Sequence, residues 1–431
     1  MVSTAIDGSL GTPLDLLALI HKVMQRAANA KKRILRPPEM RGANRAAVLQ
    51  LLRHNEHMSR ADIARQSGLS EGTVSRIMSE LIADALVRED GEENSTGGRP
   101  GRRLQLEPTR VAFGAEVQNW ETRVAVSTMR GHLVESRRFR TPFSAEATIE
   151  QIADAFLDCR KRLGSQRVTG MGVCARGIVN SDTGVIVLGS RAGWSNVRVR
   201  ETLEARIHEP VYVENNVRAA ALAEYNYGSP EVYGARCFLF VKVDEGVGTG
   251  ILLDGKLYPG PRMAAGEFGQ MVIAMSPGRE RHDRPGCLER LASNPALCDR
   301  YAVLAGERRP ATSGDTSARV RSIVQHALNG DQAARDSLRE VATCLGVGIS
   351  NIIWGLDADV IVVDGAITGA WPLIEPVLCD PFPEGDSVTG LSVLLRPSAL
   401  GGEAALIGAA TLPFTSVFAT GESRHAAGAS A

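Results

Sequence analysis

The sequence predicts an α/β protein in two parts: a small helical domain with a β-hairpin, followed by a much larger α/β region. Residues 59–81 have the pattern of two short helices joined by a tight turn. From about Val111, apolar strand-like runs alternate with helical segments, and glycines cluster where the strands end, as in sheets covered by helices. The length of 431 residues is enough for two or three domains.

Composition restricts where and how such a chain acts. The formal net charge is zero, so any contact with nucleic acid must come from locally placed arginines. The seven cysteines are scattered, which predicts buried thiols in a reducing cytoplasm. The apolar run LDLLALI is interrupted by Asp15 and lacks a small-residue cleavage site. We therefore expect neither a signal peptide nor a membrane span.

Residues 1–38 are expected to be a partly disordered leader. An amphipathic helix over residues 14–35 is the alternative, and Pro37 would end it. Asn44 is then predicted to cap a helix of about ten residues over 45–54, because an Asn before a helix accepts its free N–H groups. The apolar residues of that helix should pack on the segment that follows: Val48, Leu49, Leu51 and Leu52.

The stretch 59–81 carries the strongest local signals. Ser59 and Asp62 have the spacing of a capping box at a helix start. Gly68 should end that helix, because glycine readily adopts the turn conformation needed there, and Ser70 should cap the next helix. Val74, Ile77 and Leu81 recur at helical spacing. The pattern is typical of a helix–turn–helix, with an ordinary helical hairpin as the alternative.

The outward face of the second helix and the hairpin after it suit DNA. Leu86–Glu89 and Arg103–Leu106 are predicted to be the two strands of a wing, and residues 97–103 its glycine- and arginine-rich tip. Arginine at such a tip can lie along phosphates or enter a narrow minor groove; a solvated basic loop is the alternative. The candidate DNA-binding residues are Ser70, Glu71, Thr73, Ser75, Arg76, Arg99, Arg102 and Arg103.

The second part resembles the ROK family (repressors, open reading frames and sugar kinases). The matching segments are GVCARGIVNSDTGVI, GWSNVRVRETLEARIHEPVYVENNVRAAALAE, GTGILLDGKLYPGPRMAAGEFGQM with GCLERLAS, and NIIWGLDADVIVVDGAIT with GGEAALIGAATL. The resemblance implies an actin-like (ribonuclease-H-type) domain of two lobes, and the domain in front resembles the family's repressor branch. The expected domains are 39–110 for the winged helix-turn-helix, 111–412 for the ROK domain, and 413–431 for a disordered tail.

The chain departs from the family's kinase pattern at three places. Residues 114–121 lack the Asp and paired Gly of the family's phosphate loop. Asp244 and Glu245 stand where the family has a Gly-Thr-Gly loop, and their charges would repel nucleotide phosphates. Asn216 replaces the family's general base, and an amide cannot accept a proton at neutral pH. We therefore expect no catalytic residues and no enzyme activity.

The resemblance also implies a sugar cleft. Its matching residues, which we expect to bind a ligand, are Asn215, Asn216, Glu267, Gln270 and Glu289. Amides and carboxylates can each bond two hydroxyl groups; an empty cleft with structural polar residues is the alternative. At the family's zinc site Cys287 remains, while Gln270 replaces the histidine and Glu280 and His282 replace two cysteines. We expect no metal and no cofactor, with a weak site at Glu280, His282 and Cys287 as the alternative.

These features together predict a cytoplasmic transcriptional regulator, and more specifically a repressor of carbohydrate uptake or catabolism genes. Its expected partners are double-stranded operator DNA and a sugar or sugar-derivative effector. It should act as a homodimer or homotetramer, since a two-fold reader suits a palindromic site. Two alternatives stay open: a bifunctional sugar kinase that phosphorylates a hexose with ATP, and a regulator controlled by a protein partner.

Overall fold

The computed structural model describes residues 37–92, 102–191, 193–232, 234–274, 286–307, 316–382 and 393–418. The N-terminal domain holds three helices and one antiparallel hairpin: α1 (Pro37–His54), α2 (Arg60–Ser67), α3 (Glu71–Ala83), β1 (Val87–Glu92) and β2 (Arg102–Leu106). Met58, between α1 and α2, forms a β-bridge with Leu104 of β2. The hairpin is therefore held against the helices, and the domain is a winged helix–turn–helix.

The predicted local signals of the helix–turn–helix are present. Ser59 Oγ accepts the N–H of Asp62 at 3.1 Å, and the Asp62 carboxylate accepts the N–H of Ser59 at 3.2 Å. Ser70 Oγ accepts the N–H of Thr73 at 3.3 Å at the start of α3. Gly68 ends α2 with a left-handed φ of 70°. The turn between the helices is thus set by local chemistry.

The boundaries differ from the prediction at both ends of the N-terminal domain. Helix α1 begins at Pro37, so Asn44 lies inside the helix and is not its cap; the prediction was wrong there. Proline is compatible with the first turn of a helix, where its missing N–H is not needed. Strand β1 extends to Glu92 rather than Glu89. The leader up to residue 36 and the wing tip with Arg99 lie outside the described residues.

The core of the N-terminal domain includes the C-terminal end of the described chain. Helices α1–α3 bury Leu49, Ile63 and Ile77 among other apolar side chains. Phe414 is fully buried in the same cluster, and Phe418 lies at its edge. The expectation of a disordered tail from residue 413 is wrong for residues 413–418, because residues 412–414 form a 3₁₀ turn and Thr415–Phe418 form a short helix. Residues 419–431 lie outside the described residues.

The larger domain has two lobes with the same sheet topology. The strands of the first lobe are β3 (Arg110–Val117), β4 (Glu121–Thr128), β5 (Leu133–Arg140), β6 (Arg167–Ala175) and β10 (Val211–Asn215). They lie in the order β10–β6–β3–β4–β5; β3, β4 and β5 are antiparallel neighbours, and β6 and β10 run parallel to β3.

The strands of the second lobe are β11 (Cys237–Val243), β12 (Val247–Leu253), β13 (Lys256–Leu257), β14 (Val360–Asp364) and β15 (Leu394–Pro397). They repeat the pattern of the first lobe in the order β15–β14–β11–β12–β13.

A three-stranded antiparallel sheet and nine helices complete the described part of this domain. The small sheet contains β7 (Gly177–Asn180), β8 (Val185–Gly189) and β9 (Ser195–Arg198). The helices are α4 (Ala145–Arg162), α5 (Val199–Ile207), α6 (Asn216–Tyr227), α7 (Leu288–Ala292), α8 (Asn294–Leu304), α9 (Ser317–Leu328), α10 (Gln332–Leu356), α11 (Trp371–Cys379) and α12 (Ala404–Thr411), and α13 (Thr415–Phe418) follows as the segment that reaches the N-terminal domain. All seven thiols are free, and five of them are buried. Within the described ranges, no helix is long and apolar enough to cross a membrane.

Glycines allow two helices to pack closely between the lobes. A Cβ at Gly408 of α12 would lie 2.0 Å from the Ala219 carbonyl oxygen of α6, and a Cβ at Gly172 of β6 would lie 1.9 Å from the Ala409 carbonyl oxygen. Helix α6 also packs on β12, where a Cβ at Gly250 would meet Ala221 at 2.4 Å. Any larger residue would force these elements apart. The start of α6 is thereby fixed beside the second lobe.

Candidate DNA-binding surface and ligand cleft

Helix α3 presents a polar face that is free of the core. Val74, Ile77 and Leu81 are at most 2% exposed, whereas its outward side chains are exposed: Glu71, Ser75, Arg76 and Ser79. Thr73 is half-buried, and its hydroxyl lies 2.9 Å from that of Ser70. Ser70 and Thr73 thus help to cap the helix. Ser75 and Arg76 are exposed, can form hydrogen bonds and are not part of the cap, so they are the side chains best suited to reading base edges.

The base of the wing contains an ion-pair network that the sequence did not predict. Arg102 forms an ion pair with Glu89, and Arg60 pairs with the same carboxylate at 2.9 Å. The hydrogen bonds from these two arginines lower the pKa of Glu89. Arg103 is exposed on the neighbouring position of β2. The guanidinium of Arg102 is therefore already paired with a carboxylate of its own domain. Of the two arginines, Arg103 is the better placed to bind a DNA phosphate.

Three of the five predicted ligand-binding residues come together in the second lobe. Gln270 Nε2 donates to Glu289 Oε1 at 3.4 Å, and Glu289 Oε2 accepts the N–H of Val247 at 3.2 Å. Glu267 is exposed, and partial desolvation together with the charge of Glu289 raises the pKa of its carboxyl. The cluster offers carboxylate and amide oxygens to hydroxyl groups, a donor set that suits a polyol.

The two asparagines lie at the start of α6, on the first-lobe side. Asn215 caps the helix: its Oδ1 accepts the N–H of Val217 at 2.8 Å, while its Nδ2 donates to the Gly177 carbonyl at 2.8 Å. Asn216 is 6% exposed. Val217 lies against Gly248 of β12, where a Cβ would be 2.9 Å from its Cγ2. The preceding residue of β12, Val247, is the one whose N–H donates to Glu289. Asn215 therefore caps α6 in this structure.

Arg218 joins these parts and was missed by the sequence analysis. Its side chain is buried; Nε donates to Glu214 Oε1 at 2.6 Å, Nη1 to the Met263 carbonyl at 2.9 Å and Nη2 to the Val179 carbonyl at 2.8 Å. The only local signal was an Arg four residues after Glu214, a spacing that pairs charges on one helical face. Arg218 therefore braces β7, β10 and the 258–266 loop around the cleft.

The residues that match the family's phosphate loops make contacts within the protein. Residues 118–120 make a tight hairpin turn between β3 and β4. Buried Glu116 accepts a hydrogen bond from Arg123 Nε at 3.1 Å, and Arg123 Nη1 donates to Glu403 Oε1 at 2.6 Å. Glu116 is thus paired with a cation inside the protein, and the charge of Arg123 is shared between two carboxylates.

Asp244 and Glu245 have structural partners as well. Glu245 Oε1 accepts the hydroxyl of Thr316 at 2.6 Å and its N–H at 3.0 Å, beside the start of α9. Asp244 Oδ1 lies 3.3 Å from Asn294 Nδ2, and its Oδ2 lies 3.8 Å from Arg176 of the first lobe. Negative charge at this turn is thus stabilised by the protein itself, and it would oppose an incoming phosphate.

The predicted remnant of the zinc site is only partly described. Cys287 is buried at the start of α7 and forms a β-bridge with Val272. Gln270 faces Glu289 rather than a thiol. In the part of the chain that the structure describes, no group of three His, Cys, Asp or Glu side chains could hold a metal. Glu280 and His282 lie outside that part, so the expectation for this site stays a prediction.

The fold and these sites define the class: a winged helix–turn–helix domain joined to a two-lobed sugar-kinase-like domain. The chain belongs to the ROK family, whose model matches residues 113–415. A model described as "Winged helix-turn-helix DNA-binding" matches residues 43–88. The predicted family and the predicted fold class are therefore confirmed, and the N-terminal domain is of the DNA-binding type.

Two curated relatives of this chain are named as regulators. The chain is 27% identical over 332 residues to a putative xylose repressor of Caldicellulosiruptor sp., which covers 74% of this chain and 82% of that protein. It is 26% identical over 341 residues to the DNA-binding transcriptional dual regulator NagC of Escherichia coli, covering 78% and 83% of the two chains.

Solved structures show the same fold with and without the N-terminal domain. A ROK family transcriptional regulator, described as a homologue of the E. coli MLC protein, matches with a TM-score of 0.72 at 22% identity, over 89% of this chain and 98% of that one. A ROK hexokinase of Thermus thermophilus matches with a TM-score of 0.59 at 25% identity, over 71% and 99%. The first comparison spans both parts of this chain, whereas the kinase corresponds to a smaller share of it.

Proposed function

We propose that this protein is a sugar-responsive transcriptional repressor that controls genes of carbohydrate uptake or catabolism. The continuity of its DNA-binding core with the end of the ROK domain, at Phe414 and Phe418, carries the proposal. This packing gives a change in the ROK domain a direct mechanical connection to the DNA reader. The repressors among its relatives, and the exposed polar face of α3, support the same reading. Such a protein would act in the cytoplasm, beside the chromosome.

The N-terminal half of α3 would enter the major groove of the operator. Arg76 can make a bidentate contact with a guanine edge, and the Ser75 hydroxyl can donate to or accept from a base edge in the major groove. Arg103 and the wing tip with Arg99 would contact the backbone or minor groove. A homodimer or homotetramer would place two such domains on half-sites about one helical turn, roughly 10 base pairs, apart.

An effector in the cleft would act through helices that are already in contact. Helix α6 starts at the asparagines of the cleft and packs closely on α12 at Gly408. Helix α12 continues into the 3₁₀ turn of residues 412–414, where Phe414 enters the DNA-binding core, and α13 follows that turn. A sugar or sugar derivative that binds one arrangement of the lobes more tightly than the other would increase the population of the first arrangement. The size of that shift is limited by the difference between its affinities for the two arrangements.

Replacing Glu267 with alanine tests this effector role. Glu267 is exposed in the cleft, and no side-chain hydrogen bond to it is observed among the described residues. Glu267→Ala should therefore remove the response of operator binding to the effector, measured by fluorescence anisotropy with added sugars, and leave the affinity without effector unchanged. Exposed Glu146, at the start of α4, provides the matched control as Glu146→Ala. A fall in operator affinity without effector would instead make Glu267 structural.

We further propose that the chain has no kinase activity. Asn216 offers no base to a sugar hydroxyl. Glu116, Asp244 and Glu245, at the positions that match the family's phosphate loops, bring negative charge there and are hydrogen-bonded within the protein. A coupled assay of ADP release with magnesium, ATP and common hexoses should give no turnover above the background without protein. Turnover that depends on a hexose would revive the alternative of a bifunctional sugar kinase.

Control by a protein partner is the other alternative. Arg176 of the first lobe lies 3.8 Å from Asp244 of the second lobe, so a contact that involves no sugar already connects the two lobes. A screen of thermal stability with sugars and sugar phosphates separates the two. Stabilisation by at least one of these compounds supports a small-molecule effector, and stabilisation by none of them favours a protein partner.

A further inference from the structure

A cavity of about 790 Å³ lies between the DNA-binding domain and the ROK domain. Helix α1 forms one wall through Ala43, Ala47 and Arg53, and α6, β10 and α13 contribute the others. Its volume is within the range of small-molecule sites, about 300–1,000 Å³. None of Glu267, Gln270 and Glu289 lines it, so it is distinct from the ligand cleft.

Arg53 is a buried cation in the wall of this cavity, and its partners are neutral. It is 5% exposed, and its guanidinium donates to the side-chain oxygens of Gln50 and Asn226. The rings of Tyr227 and Phe418 lie 4.9 and 4.6 Å from its Cζ. Its Nε–H has no hydrogen-bond partner, and no carboxylate of the described chain forms an ion pair with it.

The surroundings of Arg53 add positive charge. Arg130 of the ROK domain donates to the carbonyls of Leu52 and Arg53 at the end of α1, at 3.1 and 3.0 Å. Burial and the charges of Arg53 and Arg130 lower the pKa of the adjacent His54. A desolvated cation is costly unless an anion pairs with it, and the helix terminus and aromatic rings supply only partial compensation.

The carboxylates in the cavity wall are directed elsewhere. Glu214 accepts hydrogen bonds from Arg218 and Ser181, and Asp254 pairs with Arg236 at 3.4 Å; Asp182 is exposed at the rim. Two further cations line the cavity, and one of them, Arg200, donates to backbone carbonyls; the other is Lys256. Four aromatic side chains, called the aromatic wall below, also line the cavity: Tyr212, Tyr225, Tyr227 and Phe418.

We propose that this cavity is a second effector site, which binds a small organic anion with a carboxylate or phosphate group at Arg53 and a planar or apolar body against the aromatic wall. The ligand would contact both domains at once, because Arg53 belongs to the DNA-binding domain while most of the wall belongs to the ROK domain. Binding at this site does not depend on the sugar cleft. Its effect on DNA affinity rests on the proposed function.

Calorimetry on the full chain tests the site with defined probes: benzoate, phenyl phosphate, inorganic phosphate and, as an uncharged isostere, benzamide. Benzoate or phenyl phosphate should bind saturably and at least ten-fold more tightly than benzamide. Arg53→Gln should weaken that binding at least ten-fold, and Arg53→Lys should retain part of it because the charge remains. Ala47→Phe, at an exposed position of α1, should block the cavity without altering Arg53.

The outcomes separate this site from the cleft and from the proposed function. Glu267→Ala should bind the probes as the unmodified chain does. Three results would overturn the proposal: no saturable binding of any anion, equal binding by Arg53→Gln, or equal binding of benzamide. Binding of inorganic phosphate alone would show that the site does not take an organic ligand. If a probe binds through Arg53 but operator affinity does not change, the site stands while its regulatory role fails.

Discussion

Arg76→Ala should weaken binding to the operator by about 1–3 kcal/mol, and it should relax the sequence preference at one base pair of each half-site. The reason is geometric. Arg76 is exposed on the outward face of α3, while Val74 and Ile77 on either side are buried, so the change removes a base contact without disturbing the core. Titration of specific and random duplexes at matched salt measures both effects.

Two companion variants make this prediction specific. Arg103→Ala should weaken binding to specific and random DNA alike and reduce the dependence on salt, since a phosphate contact carries no sequence information. Arg138→Ala, at an exposed position on the edge strand β5, should change neither. If Arg76→Ala weakened both kinds of DNA equally, α3 would not be the reading helix.

Phe414→Ala should destabilise the N-terminal domain by about 3–5 kcal/mol, the usual cost of truncating a fully buried aromatic side chain. Phe414 is 0% exposed and packs in the same cluster as Leu49, Leu52 and Met58. Urea unfolding, followed by a probe in each domain, should show the DNA-binding domain unfolding at lower denaturant concentration. Operator affinity should fall in parallel, because fewer molecules carry a folded reader.

Phe143→Ala is the matched control for this change, since Phe143 is 78% exposed and its truncation should cost little. The contrast tests the connection between the domains. If Phe414→Ala left the DNA-binding domain as stable as before, the packing of the 412–414 turn would not contribute to the fold of that domain. The proposed route from the cleft through α12 to the reader would then lose its last step.

Local sequence signals predicted the N-terminal domain well. The capping box of Ser59 and Asp62, the cap at Ser70 and the left-handed Gly68 all depend on residues within four positions of each other. Such signals are read directly from spacing. The inward set Val74, Ile77 and Leu81 followed from helical periodicity alone. These predictions needed no information about the rest of the chain.

Features that depend on distant residues were not predicted. Asn44 has the chemistry of a cap, but α1 starts at Pro37, so a local preference was overridden. The segment after Leu412 is polar and small in its later part, yet Phe414 is buried by residues more than 300 positions away. The ion pair of Arg60 with Glu89 and the hydrogen bond from Arg218 to the Met263 carbonyl likewise join elements that spacing cannot place beside each other.

The candidate ligand cleft was predicted through the resemblance to the ROK family rather than from spacing. The contacts among Gln270, Glu289 and Val247 place those residues in one cluster, with Glu267 beside it. Their role in binding a sugar stays a prediction. The junction cavity had no signal in the sequence, because Arg53 reads as an ordinary basic residue in the last turn of a helix.

The central claim is that α3 reads specific operator DNA under control of the ROK domain. The most direct measurement is selection of fragments of the source genome by the purified full chain, followed by sequencing, in parallel with Arg76→Ala. We expect enrichment of a palindromic site near genes of carbohydrate uptake or catabolism, and loss of that enrichment in the variant. No enrichment over random fragments at moderate salt, or the same profile for both proteins, would contradict it.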